Sequence, residues 1–321
     1  MLKRTLISLL TLGAIAAAPA AASAADTTVV PGADAARMTA LDGTLVWVAG
    51  TFPNQTLMQR GPDGSVAPVT GAPVATYNSI DLGHDGAGRL VLTYIRCAGT
   101  SGCRAYSDNL SGRRVSYKRL TPPRCTLTAA PARWNSRVAY GLSCWKTSNG
   151  HRVSDPSRSG LFVRRNADRP RRLRLPKDAV KFGATNIGWV DLRGTIVGAA
   201  ASDIYAYAFT QTVNATHLRS DFVAASEGES DEQVVGQASG SGGILWTLVD
   251  ATHTGDPNMA ILSRIVDGDC EEFERLENPR GPGEAEGFRA VAMAVDGRTI
   301  YLQVPGTGIV SHEFVPSRPC S

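Results

Sequence analysis

Six short apolar runs recur along the chain, and their spacing constrains the fold more than any other feature. They are Thr44–Ala49, Arg89–Arg96, Arg137–Cys144, Thr195–Ala201, Gly243–Val249 and Thr299–Val304. Their starts lie 45, 48, 58, 48 and 56 residues apart. Nearly continuous apolar runs of this length suit strands buried on both faces. A second strand-like segment precedes each run. In four cases the junction is Asp42-Gly43, Asp85-Gly86, Arg193-Gly194 or Asp296-Gly297, which supplies the positive-φ residue of a tight turn.

A third candidate strand follows each run: Leu57–Arg60, Arg104–Ser107, Gly160–Arg165, Ile204–Thr210, Met259–Ile265 and Gly308–Phe314. Five units add a fourth, at Ser65–Val69, Val115–Leu120, Arg171–Leu175, His217–Val223 and Cys270–Leu276. Four antiparallel strands at this period, with hardly a helix, predict an all-β fold, a six-bladed β-propeller of four-stranded antiparallel blades. Packed β-sandwiches are the alternative, but they do not generate a fourfold strand grouping at this period. The sixth unit supplies three strands only, while Thr27-Thr28-Val29-Val30 stands near the start without a partner. The expectation is a ring closed by this N-terminal strand, which becomes the missing outer strand of the last blade.

The Asp-Gly hairpins Leu41-Asp42-Gly43-Thr44-Leu45-Val46-Trp47, Pro62-Asp63-Gly64-Ser65-Val66 and Val295-Asp296-Gly297-Arg298-Thr299-Ile300-Tyr301 resemble those of six-bladed TolB-like propellers. That resemblance implies a partner role in an envelope protein complex. It carries over no functional residue, since the chain has no full WD, kelch or Asp-box signature.

Lys3 and Arg4, the apolar stretch Leu6–Ala18 and the small residues Ala22-Ser23-Ala24 read as a secretory signal peptide over residues 1–24. Residues 25–321 then form one propeller domain, secreted or periplasmic and monomeric. No later apolar run reaches the length of a membrane span. The formal charge of +4 falls to +2 when Lys3 and Arg4 leave, which gives no basis for a nucleic-acid partner.

Six cysteines, Cys97, Cys103, Cys125, Cys144, Cys270 and Cys320, suit an oxidising compartment. Cys97 and Cys103 bracket a short flexible loop, and Cys125 and Cys144 flank a hairpin around Trp134-Asn135. Both pairs are predicted as disulfides, with Cys270–Cys320 following partly by elimination. No cysteine or histidine spacing matches a zinc site, and no cofactor is expected.

Loops of a propeller alternate between two faces, and the longer ones fall on the face of the second-to-third-strand connections and blade links. They are Trp145–Ser159, Pro176–Ala184, Ser226–Glu232, Asp250–Asn258 and Glu277–Gly287. Long loops on a rigid frame carry binding residues. The expected ligand-binding set is Asp250, His253 and Asp256, then Glu229 and Asp231, with the basic Lys146 and Arg152 opposite. The oxygen-rich loops make calcium a secondary possibility, although no EF-hand or RTX spacing is present. The dense arginines from Arg164 to Arg174 read as charge that guards an outer edge strand.

The leading expectation is an exported propeller acting as a binding or scaffold module for a protein or carbohydrate ligand of the envelope or extracellular space. A propeller-type hydrolase or lyase on carbohydrate or another wall-derived substrate is the alternative. The absence of a G-x-S-x-G elbow or P-loop weakens it without excluding it, since propeller enzymes collect residues from several blades.

Overall fold

The computed structural model describes residues 26–98, 101–116, 120–181, 186–202, 205–214, 219–225, 233–250, 259–266, 270–277 and 292–317. Residues 1–25 and Cys320 lie outside them, as do Glu229, Asp231, His253 and Asp256.

Among the described residues, twenty-six strands follow in chain order. β1 (Thr27–Pro31) precedes a first meander of β2 (Ala35–Leu41), β3 (Thr44–Ala49), β4 (Thr56–Arg60) and β5 (Val66–Pro68). The second meander is β6 (Thr76–His84), β7 (Leu90–Ala98), β8 (Ser101–Asp108) and β9 (Arg114–Ser116). The third group is β10 (Cys125–Leu127), β11 (Ala132–Trp134), β12 (Arg137–Ser148), β13 (His151–Ser154), β14 (Gly160–Arg165) and β15 (Arg171–Arg172). After a short helix α1 (Lys177–Lys181) come β16 (Asn186–Arg193), β17 (Ile196–Ser202), β18 (Tyr205–Thr212) and β19 (Ser220–Ala225). The fifth group is β20 (Gln233–Ser239), β21 (Leu245–Asp250), β22 (Met259–Val266) and β23 (Cys270–Glu277). The chain ends with β24 (Met293–Asp296), β25 (Thr299–Val304) and β26 (Gly308–His312).

The architecture is all-β and propeller-like. Four four-stranded antiparallel sheets are β2–β5, β16–β19, β20–β23 and β1-β26-β25-β24. The fifth sheet has ten strands, because β11 pairs in parallel with β6 through Trp134 and His84 and so joins the second and third groups. Gly83 makes that approach possible: a Cβ there would fall 1.8 Å from the Arg133 carbonyl oxygen. The inner strands of the groups neighbour one another, with β2 beside β6 and β24, β20 beside β24 and β16, and β11 beside β6 and β16.

β1 pairs with β26 as expected, Thr27 opposite Ser311 and Thr28 opposite Val310. The central runs are buried on both faces; every residue of β3 from Thr44 to Val48 is buried. Apolar clusters sit between successive groups: Val46, Leu57, Leu82 and Tyr94 between the first two, and Leu161, Ile187, Leu192 and Phe209 between the third and fourth. Val30, Leu45, Trp47, Tyr301 and Ile309 pack the last group against the first.

One repeat shows up only in three dimensions. The pairing register slips at Ala35/Arg37, Tyr77/Ser79, Ile187/Trp189 and Val234/Gly236, each near the start of a group's inner strand. A bulge there bends and twists the strand.

Several expectations need correction. Trp145–Ser159 is not an open loop: β12 runs on to Ser148, turns through Asn149 and Gly150 at φ 49° and 79°, and returns as β13. In the second group the positive-φ residue is Gly88 rather than Gly86, because Asp85 Oδ1 accepts from the N–H groups of Ala87 and Arg89 and sets a longer turn. The outer strand expected over Arg171–Leu175 is two residues long, and α1 occupies part of Pro176–Ala184. The Cys97–Cys103 and Cys125–Cys144 disulfides are formed. Cys125 and Cys144 stand directly opposite, but on β10, an additional strand alongside β12. The third pairing involves Cys320, outside the described residues.

Candidate functional site

Each group's inner strand ends in a short connection of two to five residues, which defines a turn end of the fold. The other, loop end carries the second-to-third-strand connections and the links between groups. Inner strands β2, β6, β16, β20 and β24 line an open cavity of about 450 Å³ whose lining includes Arg37, Asp81, Asp191 and Gln237.

Toward the turn end, Arg193 is an internal staple. Its guanidinium donates to the carbonyls of Leu82 at 3.0 Å and Ala40 at 3.1 Å, and its Nε lies 3.3 Å from Asp191 Oδ2. One side chain thus ties the fourth group to the first and second. Burial opposes its charge, but the surrounding carboxylates, Asp191 first and then Asp81, Asp296 and Asp42, raise its pKa. Asp81 is fully buried beside Asp191. Burial, and then the neighbouring Asp191 charge, push its pKa well above the ordinary carboxyl range, with Arg193 opposing. The shift favours the protonated form of Asp81 beside Asp191, whose Oδ1 accepts from the Leu192 N–H at 2.7 Å.

Turn residues stitch the rim. His84 Nε2 meets Asp42 Oδ2 at 2.6 Å, the His84 ring lies 4.5 Å from that of Trp134, and Asp296 Oδ2 accepts from the Gly43 N–H at 2.6 Å. No set of three or more His, Cys, Asp or Glu side chains suited to a metal occurs among the described residues.

At the loop end, an open groove of about 700 Å³ lies between the first and second groups. One wall holds Pro53 and Asn54, which follow a cis Phe52–Pro53 peptide bond. The floor is the link Pro73–Thr76, tied to that wall by the Thr76 hydroxyl donating to the Pro53 carbonyl at 3.3 Å. The other wall is β7 and β8, where Arg96 and Arg104 are directly opposite in register. The Arg96 guanidinium sits 4.7 Å from the Tyr106 ring centre and donates to its hydroxyl at 3.1 Å. Tyr94 stacks against Tyr106 at 5.6 Å, and the Cys97–Cys103 disulfide closes the hairpin end.

Of the predicted ligand residues, Lys146 and Arg152 lie on the β12–β13 ribbon at the loop end, in consecutive cross-strand pairs with Val153 and Thr147. Arg152 stacks on Trp145 at 3.6 Å, on the ribbon and away from the cavity lining. Asp250 ends β21, its backbone pairing with Ala260. Asp256, His253, Glu229 and Asp231 lie outside the described residues.

The sequence marks Arg193 as a turn residue only, and Asp81 and Asp191 are not among the expected site residues. The readable signal was a carboxylate inside an apolar strand, Ile80-Asp81-Leu82 and again Val190-Asp191-Leu192. A charge at a position buried on both faces needs a partner. Arg96 and Arg104 look unremarkable until β7 and β8 are placed in register.

No family model and no curated protein matches the chain. Among solved structures it is similar to the β-propeller domain of Cps50 (Swd1) from Myceliophteria thermophila, at 12% identity over 90% of this chain and 98% of that one, with a TM-score of 0.49. It is also similar to the fucose-specific lectin from Aleuria aurantia, at 11% identity over 87% and 90% of the two chains, TM-score 0.46. A protein of unknown function from Dyadobacter fermentans matches at 10% identity over 90% and 97%, TM-score 0.49. At these scores the likeness says nothing of ligand or activity.

Proposed function

We propose that the protein is an exported six-bladed propeller, closed by β1, that works as a binding module and presents its ligand site at the loop end. Support for six blades comes from dividing the ten-stranded sheet at its Trp134–His84 bridge, which leaves two antiparallel runs like the other four sheets. Support for closure comes from the β1–β26 pairing and from the cyclic neighbourhood of the inner strands. Export is supported by the two disulfides. Among the described residues no helix is long and apolar enough to cross a membrane.

The observation that carries the binding reading is the contrast between the two ends. Arg193 and the Asp42–His84 and Gly43–Asp296 contacts tie down the turn end. The loop end offers both the open groove and the projecting ribbon with Lys146 and Arg152. Rigid frames present recognition residues on such projecting connections. The test is binding of the purified protein to envelope and polysaccharide fractions, comparing Arg152→Ala with Asp63→Ala in the exposed Gly61–Gly64 turn. Loss from Arg152→Ala alone supports the reading; loss from Asp63→Ala alone overturns it.

A second reading rests on Asp81 and Asp191, two adjacent carboxyls lining a cavity, with the Asp81 pKa pushed up by burial and its neighbour, an arrangement suited to acid–base hydrolysis. Turnover of a wall-derived glycan that Asp191→Asn abolishes would promote it.

A further inference from the structure

Arg96 and Arg104 occupy directly opposed positions of the antiparallel β7–β8 pair, so both side chains project from the same face. Like charges in that relation repel and destabilise a sheet. Neither guanidinium has a carboxylate within ion-pair distance among the described residues. Charge repulsion at this position is nonetheless built in firmly. Tyr106, itself backed by Tyr94, holds Arg96 by ring stacking and by its hydroxyl, and the Cys97–Cys103 bond fixes the hairpin end. Both arginines open into the groove, whose other lining includes Pro53, Val74 and the polar Asn54. Val74 is 63% exposed, an apolar side chain left uncovered beside two cations.

We infer that this groove is an oxyanion site: Arg96 and Arg104 together clamp a carboxylate or sulfate group carried on an organic body of about sugar size. The inference rests on the loop-end reading above and adds the ligand's chemistry. An anion between the two guanidinium groups cancels their repulsion and accepts charge-assisted hydrogen bonds from both. The planar forks suit carboxylate and sulfate geometry better than a point charge does. The remaining groove volume is of the order that holds small organic ligands, about 300–1,000 Å³. Its proline and valine surfaces fit the carbon face of such a body, while Asn54 supplies a polar contact beside them. Tyr106 is a positioning residue, because Tyr94 and Arg96 pack against its ring.

The experiment is calorimetric titration of the full mature chain with glucuronate, glucose, N-acetylglutamate and inorganic sulfate at low salt. Glucuronate and glucose share a ring and differ in the oxyanion. The expected result is binding of glucuronate and no measurable binding of glucose, with affinity about tenfold or more weaker in Arg104→Ala. N-acetylglutamate binding as tightly would assign a carboxylate site indifferent to its carrier; weaker binding would assign a saccharide carrier. Sulfate should raise the melting temperature of the wild type and leave that of Arg104→Ala unchanged, a readout independent of the organic body. Arg104 is exposed, so its variant retains the fold, and Tyr106→Phe, which keeps the stack and drops the hydroxyl, should weaken glucuronate by a smaller factor. Equal responses to glucose and glucuronate, or unchanged glucuronate affinity in Arg104→Ala, would overturn the inference. If Arg152→Ala still loses envelope binding in that case, the loop-end reading survives on its own.

Discussion

His312 Nδ1 lies 2.7 Å from the Asp26 carboxylate, 286 positions earlier in the chain. Its Nε2 meets Glu274 Oε2 at 2.9 Å, so one buried ring on β26 joins the residue before β1 to the outer strand of the fifth group. Burial works against its charge, but the two carboxylates outweigh that and raise its pKa to about 9.

The sign of the pH dependence follows. A histidine whose folded pKa stands above its unfolded value contributes stability fully below about pH 6.5, and loses it as pH rises through about 9. Thermal melts of the wild type should therefore fall between pH 7 and pH 10, by an amount on the order of 2 kcal/mol after allowance for solvent screening. His312→Gln should flatten the melting temperature over this window; an unchanged slope would show that His312 is not the titrating group.

Removing Asp26 to Pro31 should destabilise the protein far more than trimming an exposed terminus of equal length. The deletion strips β1 from β26 and takes Val30 out of the cluster with Leu45, Trp47 and Ile309. Chemical denaturation and hydrogen exchange at Gly308–His312 check this, and exchange there as slow as in the intact protein would contradict it.

Arg193→Met should cost about 3–5 kcal/mol in urea unfolding, because it leaves Asp191 buried without its cation and two carbonyls without donors. Arg193→Lys should rescue little, since one ammonium lacks the fork that reaches both carbonyls. Asp81→Asn should cost about 1 kcal/mol or less at neutral pH, because burial favours the neutral form of Asp81 and an amide is its neutral counterpart. A large loss from Asp81→Asn would mean that this carboxyl is ionised.

The two disulfides close loops of different length, with sequence separations of 19 for Cys125–Cys144 and 6 for Cys97–Cys103. Loop entropy predicts losses of about 3 and about 2 kcal/mol for the respective paired serine variants. The Cys97→Ser/Cys103→Ser protein should also bind glucuronate more weakly, as the hairpin carrying Arg96 and Arg104 loosens. Titration and melting of both double variants separate the two effects.

The strand period, the fourfold grouping and the need for β1 were all legible in the residues, because burial on both faces and positive-φ turn chemistry are local properties of a chain. Asp42-Gly43 and Asp296-Gly297 announce their turns wherever they occur. The two described disulfides were readable for the same reason, since each joins cysteines within one group. The extended ribbon at Asn149-Gly150 carried an equally local signal, but the surrounding polar residues read as loop.

The sites belong to the tertiary structure. Arg193 reaches Leu82 across 111 positions and Ala40 across 153, and its neighbourhood marks it only as the residue before a turn glycine. Asp81 departs from an ordinary carboxyl only because the tertiary fold places it, dehydrated, beside Asp191. Arg96 and Arg104 become a clamp only when the register of β7 and β8 sets them opposite and the link from the first group builds the far wall. Sequence determines which segments must be buried and where the chain must turn; the tertiary fold decides which distant charges meet, because desolvation and Coulomb interaction depend on distance in space.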